Sequence, residues 1–423
     1  MKSLVIILLF LCSLSIRQVY PENVEQQQDS TFVLRGRVFD IDTRQPLMNA
    51  SIMVEHSSIS SVTNQEGYFT LRVPESAKNT RILIRHLGYH NKTVPLITLI
   101  NRPDTQIGMS LSTVSLQELL VVSGDGTELV REALRRIPRN YPTGPNMMVA
   151  FYRESIKKRS QYISLSEAVL DIYKAPYTSF ADDLAKIYIG RKASDMSVRD
   201  TLLLRFQGGI NGALLLDIAK NPEIVFGANA DDYVFHIENM TPINNKPHYV
   251  ISFLPRPGIP DILFRGKIYL DAASLAFARM EFNMNVEKRD DAVALFIKRK
   301  PPKMKAQVDH ALYVVDFIED NGKWYFNHSR TEVAFRVRWT NRFFGLFATT
   351  YTIGSEIAVT DRYTDDIVKF PRKERIRSTD VIAERVDYFQ NPDFWGEYNV
   401  IEPDAEITNA ISRLSEKLRR RNE

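Results

Sequence analysis

Arg279-Met-Glu-Phe-Asn-Met-Asn-Val286 and, further on, Val333-Ala-Phe-Arg-Val-Arg-Trp339 alternate large apolar side chains with polar or small ones. Met280, Phe282, Met284 and Val286 share one face, with Arg279, Glu281, Asn283 and Asn285 on the other. A period of two belongs to a strand with one wet face and one dry face. Working outward, residues 249–253, 265–271, 312–317, 323–326 and 353–359 repeat the pattern, which predicts a long antiparallel series in a curved sheet. Its apolar face is too large to leave in water. It must be covered by helices or by a bound apolar ligand. The helical pattern over 202–219 is one candidate cover. A terminal helix with Ile407, Ala410, Ile411, Leu414 and Leu418 on one face, started by Pro403 or Asp404 and ended by basic residues, is the other.

Toward the N-terminus the runs become shorter. Phe32, Leu34 and Val38 alternate with Arg35, Arg37 and Asp40, and short strands at 51–55, 68–73 and 81–85 are separated by Pro46, Asn49, Asn64, Gly67, Pro74 and Gly88. Closely spaced short strands predict an all-β sandwich. Gly67 and Gly88 suit turns with positive φ, and Pro46 pre-sets φ in another. The segment resembles the carboxypeptidase-regulatory-like domain. The likeness rests on Leu34-Arg-Gly36-Arg-Val38-Phe-Asp40, Thr43 with Pro46-Leu47 and Ala50, Thr63-Asn-Gln-Glu-Gly67-Tyr-Phe69 with Leu71 and Pro74, and Leu87-Gly88-Tyr89. His56-Ser57-Ser58 departs from the usual Gly-Thr of that family, and Leu116-Gln-Glu-Leu-Leu-Val-Val122 looks like its exit segment. The resemblance implies a seven-stranded transthyretin-like or Ig-like β-sandwich over 31–123 and an envelope protein of Bacteroidetes-type bacteria. The series from 249 to 282 is similar to curved periplasmic half-barrels of the lipoprotein-carrier type. The wider segment from Phe151-Tyr-Arg-Glu154 to Phe394-Trp395-Gly-Glu-Tyr-Asn399 with Ile401-Glu-Pro403 looks like an uncharacterised region that often accompanies the regulatory-like domain.

The expected order is therefore mainly β: signal peptide 1–20, flexible leader 21–30, sandwich 31–123, linker helix and turn 124–145, and a larger α+β domain, 146–423, with a half-barrel-like sheet and terminal helix. Lys2 followed by an apolar core at 4–11 and by Ser13 and Ser15 reads as a removed export signal, too short to span a bilayer. Cys12, the single cysteine, follows bulky Leu11 where a lipidation signal needs a small residue, so cleavage without lipidation is the preferred reading. The mature chain then holds no disulfide, and no later apolar run is long enough for a transmembrane helix. With 55 basic against 51 acidic residues, a nucleic-acid partner is not implied. The local runs at Lys298, Arg299, Lys300, Lys303 and Lys305, and at Arg419, Arg420 and Arg421, read as solvated surface. Weak attraction to anionic headgroups is the sharper alternative.

No catalytic, cofactor or metal residue is assigned. Neither His-x-x-Glu nor His-Glu-x-x-His occurs, and His86 and His90 read as surface side chains. Gly-x-Ser-x-Gly is absent. Gly124-x-Gly126 and Gly208-Gly209 lack the rest of a phosphate loop. The adjacent acids Asp182-Asp183, Asp231-Asp232, Asp290-Asp291 and Asp365-Asp366 read as surface turn acids. Trp324, Tyr325, Trp339, Phe343, Phe344 and Phe347 read as core, with a ligand groove as the alternative. The expected function is a non-enzymatic binding or scaffold module, exported to the periplasm or outer membrane of a Gram-negative bacterium, with a lipid-like ligand or an envelope protein as partner. An accessory role beside a TonB-dependent transport system, with 116–122 as contact strand, and a hydrolase without recognisable motif are the alternatives.

Overall fold

The computed structural model describes residues 30–100, 102, 104–112, 124–195, 209–227, 230–286, 291–297, 304–339, 348–388, 394–396 and 398–422. The segments expected to be a signal, with Cys12, and a leader, up to residue 29, lie outside that description, as do the 116–122 segment, residues 202–208 and 298–303, Phe343, Phe344, Phe347 and the side chains of Trp339, Leu418 and Arg421.

The first unit holds β1 (Thr31–Asp40), β2 (Ser51–Val54), β3 (Ser60–Val62), β4 (Tyr68–Pro74), β5 (Arg81–Arg85), β6 (Lys92–Pro95) and β7 (Thr105–Met109). They form two sheets, ordered β4-β1-β7 and β3-β2-β5-β6. Leu34, Val38, Ile52, Phe69, Leu71, Ile82 and Ile84 fill the space between the sheets. Alternation places these side chains on the facing surfaces. Gly67 and Gly88 both sit at φ +80°, as the turn reading requires. A Cβ on Gly67 would lie 2.4 Å from the Val38 carbonyl oxygen, whereas at Gly88 nothing stands within 4 Å. Gly88→Ala is therefore expected to cost only the left-handed backbone penalty of about 1–2 kcal/mol. Gly67→Ala should cost more than that, because its neighbour is rigid backbone. Equal unfolding midpoints for the two variants in denaturant would contradict the assignment.

The second unit is built on one twelve-stranded sheet. In chain order its elements are β8 (Gly124–Asp125), α1 (Thr127–Arg135), α2 (Ile137–Asn140), β9 (Asn146–Lys158), β10 (Gln161–Lys174), β11 (Leu184–Ser194), α3 (Gly209–Leu215) and α4 (Glu223–Phe226). There follow β12 (Tyr233–Ile243), β13 (Lys246–Pro255), β14 (Phe264–Asp271), β15 (Phe277–Met284), α5 (Val293–Phe296), β16 (Met304–Asp320), β17 (Lys323–Trp339), β18 (Thr349–Tyr363), β19 (Asp387–Tyr388) and α6 (Ala405–Asn422). The spatial order is β19-β11-β10-β9-β18-β17-β16-β15-β14-β13-β12-β8, antiparallel except where β19 joins β11. Register shifts at Val169/Leu170, Ile237/Asn239, Tyr269/Leu270, Val308/His310 and Val359/Asp361 insert bulges, which bend strands and deepen twist. The mainly β architecture, a small two-sheet unit followed by a large curved antiparallel sheet, matches the sequence expectation.

The inner, concave face is filled by the protein itself. Met280, Phe282, Val333, Phe335 and Val337 are at most 4% exposed. They join one apolar cluster with Val130 and Ala133 of α1, Ile210, Ala213 and Leu214 of α3, Phe226 of α4, Phe296 of α5 and the later residues Ile376, Ile382 and Val386. The expected cover near 202–219 is present as α3. The terminal helix is not part of it. Ile407, Ala410 and Ile411 of α6 instead pack on Tyr162 and Leu165 of β10, on the outer face. β10 presents apolar side chains on both its faces, so its outer face needed a cover as well. Asp404 caps α6, its Oδ1 accepting from the Ile407 amide at 2.7 Å. Residues 124–145 are more than a connector, since β8 pairs with β12 and α1 packs into the main core.

Candidate functional site

The sandwich rests on the outer face of the large sheet, and the seam between them joins apolar and charged groups. Val62 of β3 enters an apolar cluster with Phe151 of β9, Ala358 of β18 and Trp395, Val400 and Ile401 of the tail segment. Polar bonds surround it. Ser60 Oγ donates to the Val359 carbonyl at 3.1 Å, and Thr70 Oγ1 donates to Glu402 at 2.6 Å. The Arg72 amide donates to Asn399 Oδ1 at 2.6 Å, and Asn399 Nδ2 returns a bond to the Arg72 carbonyl at 3.2 Å.

Three ion-pair groups are buried, two of them beneath this seam and the third, around Lys174, on the inner side of the sheet. Glu167 of β10 accepts from Arg153 of β9 through one oxygen and from Arg191 of β11 through the other, each at 2.8 Å. None of the three side chains is more than 7% exposed. Burial alone would raise the Glu167 carboxyl, but the two guanidinium groups overcome it and hold the pKa below its ordinary value. Arg153 Nη2 also donates to the Ile401 carbonyl at 2.9 Å, and Arg191 lies over the Trp395 ring, so the same network holds the tail under the sandwich.

His328 of β17 stands between Asp316 and Glu356, 3.1 Å from the first and 3.0 Å from the second. Desolvation works against its charged form, yet the two carboxylates push its pKa up to about 9. Lys174 at the end of β10 is enclosed by Asp183 at 2.5 Å and Asp217 at 2.7 Å, with Lys220 3.4 Å from Asp183. The reading of Asp183 as a surface turn acid is thereby corrected. A buried lysine needs a counter-charge, and Asp183 supplies one. Asp231, by contrast, stays exposed and pairs with Arg131.

Above the Glu167 and His328 networks opens a cleft of about 420 Å³. Its walls come from distant parts of the chain: Met48, Asn49, Asn64 and Gln65 of the sandwich, Arg153 and Lys157 of β9, Arg330 and Glu332 of β17, Glu356 of β18, and Asp404 and Glu406 at the start of α6. With Arg159, four basic side chains face four acidic ones. Lys157 bridges to Glu406 at 3.2 Å and Arg330 to Glu332 at 3.7 Å, while Glu356 is held by His328.

On the inner face one carboxyl stands apart. Burial pushes Glu154 up to about 7, and its hydrogen-bond partner is the Tyr152 hydroxyl at 3.1 Å. By register Ser166 and Ser355 flank it on the adjacent strands. Sequence reading did not single it out. Its only signal is an acid at an inner-facing position of a strand otherwise carrying Met148, Ala150, Tyr152 and Ile156 on that face.

His86 and His90 do not converge on an ion: both ring nitrogens of His86 lie near backbone carbonyls, those of Leu87 and Met48. Among the described residues no three His, Cys, Asp or Glu side chains stand as a metal-holding group. Gly126 precedes α1, where a Cβ would meet Ile251 at 2.9 Å, which gives it a packing reason. Trp324 is core, and Tyr325 lies under the Arg362 guanidinium.

Residues 34–121 match the family model of the CarboxypepD_reg-like domain. No curated protein matches the chain. Among solved structures, a DUF1329 family protein from Desulfovibrio piger is 12% identical over 58% of this chain and 96% of its own, with a TM-score of 0.24. The LolA superfamily protein NE2245 from Nitrosomonas europaea is 10% identical over 59% of this chain and 97% of its own, with a TM-score of 0.21. At these TM-scores neither likeness bears on what this chain does.

Proposed function

We propose that the chain is a non-catalytic binding module of the Gram-negative cell envelope, exported by its N-terminal signal, that grips a polar segment of a partner protein in the 420 Å³ cleft between sandwich and sheet. The observation that carries the reading is the make-up of that cleft. Its opposite charges are equal in number, and two of them, Arg153 and Glu356, are held by buried partners, so a ligand with both donors and acceptors meets a preformed surface. The apolar inner face, where a lipid tail would lie, is occupied by the chain's own side chains. The buried groups around Glu167, His328 and Lys174 are each paired within themselves, which leaves them structural work rather than proton transfer.

The test is photocrosslinking in the host cell from positions Gln65 and Thr352, with Lys267 on the far part of the sheet as control. Both cleft positions are expected to capture one common protein, and Arg330→Glu should weaken that capture at least tenfold. Capture from Lys267 alone, or from none of the three, would reject the reading, as would an acyl lipid retained in native mass spectrometry.

A further inference from the structure

On the side turned away from β10, strand β11 is occupied at two places and open between them. The Ala185 carbonyl accepts from the Ile376 amide at 2.8 Å, and β19 pairs only at Arg191 and Lys192. Alternation turns the amide and carbonyl of Ile187 the same way as those of Ala185, and among the described residues no strand meets them there. A strand edge with unmatched donors and acceptors is a template for a further extended chain. Along Ile187, Tyr188, Ile189 and Gly190 this edge borders a groove of about 360 Å³. Val386 closes over Gly190, its Cγ1 2.4 Å from where a Cβ on that glycine would stand, so the groove is bounded at that end by the chain itself. Tyr188 is 57% exposed, and its ring rests 5.0 Å from that of Tyr398, which holds it beside the opening.

We infer that this groove takes up an extended, basic segment of a partner protein as a strand added to β11. The backbone of such a segment supplies the acceptor and donor that the Ile187 edge lacks. Charge selects its side chains. Glu374 and Asp387 line the groove, are exposed and stand in no ion pair among the described residues, whereas Arg385 is drawn to Asp380 at 3.8 Å. The charge left to a guest is negative, which favours Lys or Arg and repels an acidic strand. Tyr188 and Phe394 add aromatic faces on which such a cation can lie. The groove is separate from the 420 Å³ cleft, and neither reading depends on the other.

The full chain without its signal segment, labelled with nitrogen-15 isoleucine, would be titrated with the peptide acetyl-Lys-Val-Arg-Val-Lys-amide and with acetyl-Glu-Val-Glu-Val-Glu-amide. Ile187→Val assigns the Ile187 amide signal. The basic peptide is expected to shift that signal saturably and to slow its hydrogen exchange at least tenfold. The acidic peptide should bind at least tenfold more weakly, and so should the basic peptide to the double variant Glu374→Lys with Asp387→Lys. An added strand uses every second amide of its backbone. Of two N-methylated forms of the basic peptide, one at both valines and one at the central arginine, one should therefore keep its affinity while the other loses at least tenfold. An unmoved Ile187 amide, or equal affinity of both N-methylated forms and the parent, would overturn strand addition. Equal binding of the basic and acidic peptides would overturn the charge selection. A shift of the Ile187 signal with protein concentration alone would assign the groove to a second copy of this chain and overturn the partner reading.

Discussion

Glu167→Ala is expected to destabilise the protein by about 3–5 kcal/mol, the cost of removing one member of a buried ion group and leaving the others uncompensated. Two guanidinium groups, those of Arg153 and Arg191, would remain in a site where neither is more than 7% exposed. Both are also tied to the tail segment, Arg153 through the Ile401 carbonyl and Arg191 through the Trp395 ring. That segment is what Val62 of the sandwich packs on. The loss should therefore spread to the seam: residues 34–121 should become open to limited proteolysis at protein concentrations where wild type resists. Glu167→Gln keeps the volume and one acceptor but not the charge, and is expected to fall between the two. Wild-type stability in Glu167→Ala would mean that the network is relaxed by water. Lost stability with an intact seam would mean that the tail is held by its apolar contacts alone.

The strands of this fold differ in how far their own residues announce them. β15 and β17 were legible because their outer side chains, such as Glu281 and Asn283 or Arg336 and Arg338, face water, so polar and apolar residues alternate cleanly. β9 and β10 were not read as strands. Each is covered on both sides, with Tyr152 and Ala150 of β9 toward the main core and Phe151 toward the tail, so the run reads as continuously apolar. Two of the charges within them, Arg153 and Glu167, are each other's partners. The sandwich was legible through its turns, because Gly67 and Gly88 stand where only positive φ serves. The cleft was not. Met48, Arg153, Arg330 and Asp404 come together through sheet order and domain seating, neither of which any local period encodes. Lys174 did offer a local signal: a lysine directly after the strand residues Val169, Leu170, Ile172 and Tyr173 is a charge that requires partners, and that should have drawn Asp183 out of the turn class.

Stability is also expected to fall by about 3 kcal/mol between pH 6 and 9.5 through His328 alone, at about 1.4 kcal/mol for each unit of pKa shift. Both of its ring nitrogens face carboxylate oxygens, and a carboxylate can only accept, so both bonds are made only when the imidazole is doubly protonated. Its folded pKa is raised to about 9 from an ordinary 6.5. A raised cation contributes fully below the unfolded value and is lost as pH climbs through the folded one, which places the loss between 6.5 and 9. The surrounding charges do not cancel this: Arg279 holds Asp316 at 2.6 Å, and Glu356, lowered to about 2, stays ionised throughout the window. Glu356 contributes with the opposite sign, fully above about 4.5 and lost as pH falls toward 2. Glu154 adds a separate decline, since a carboxyl raised to about 7 weakens the fold as pH rises from 4.5 to 7 and adds nothing further above that. Urea unfolding of wild type, His328→Gln and Glu154→Gln from pH 5 to 9.5 separates the two. His328→Gln should lose the upper decline and keep the lower, and Glu154→Gln should do the reverse. If wild type and His328→Gln keep parallel profiles above pH 7, then His328 is neutral in the folded protein, and Asp316 with Arg279 must balance the cluster without it.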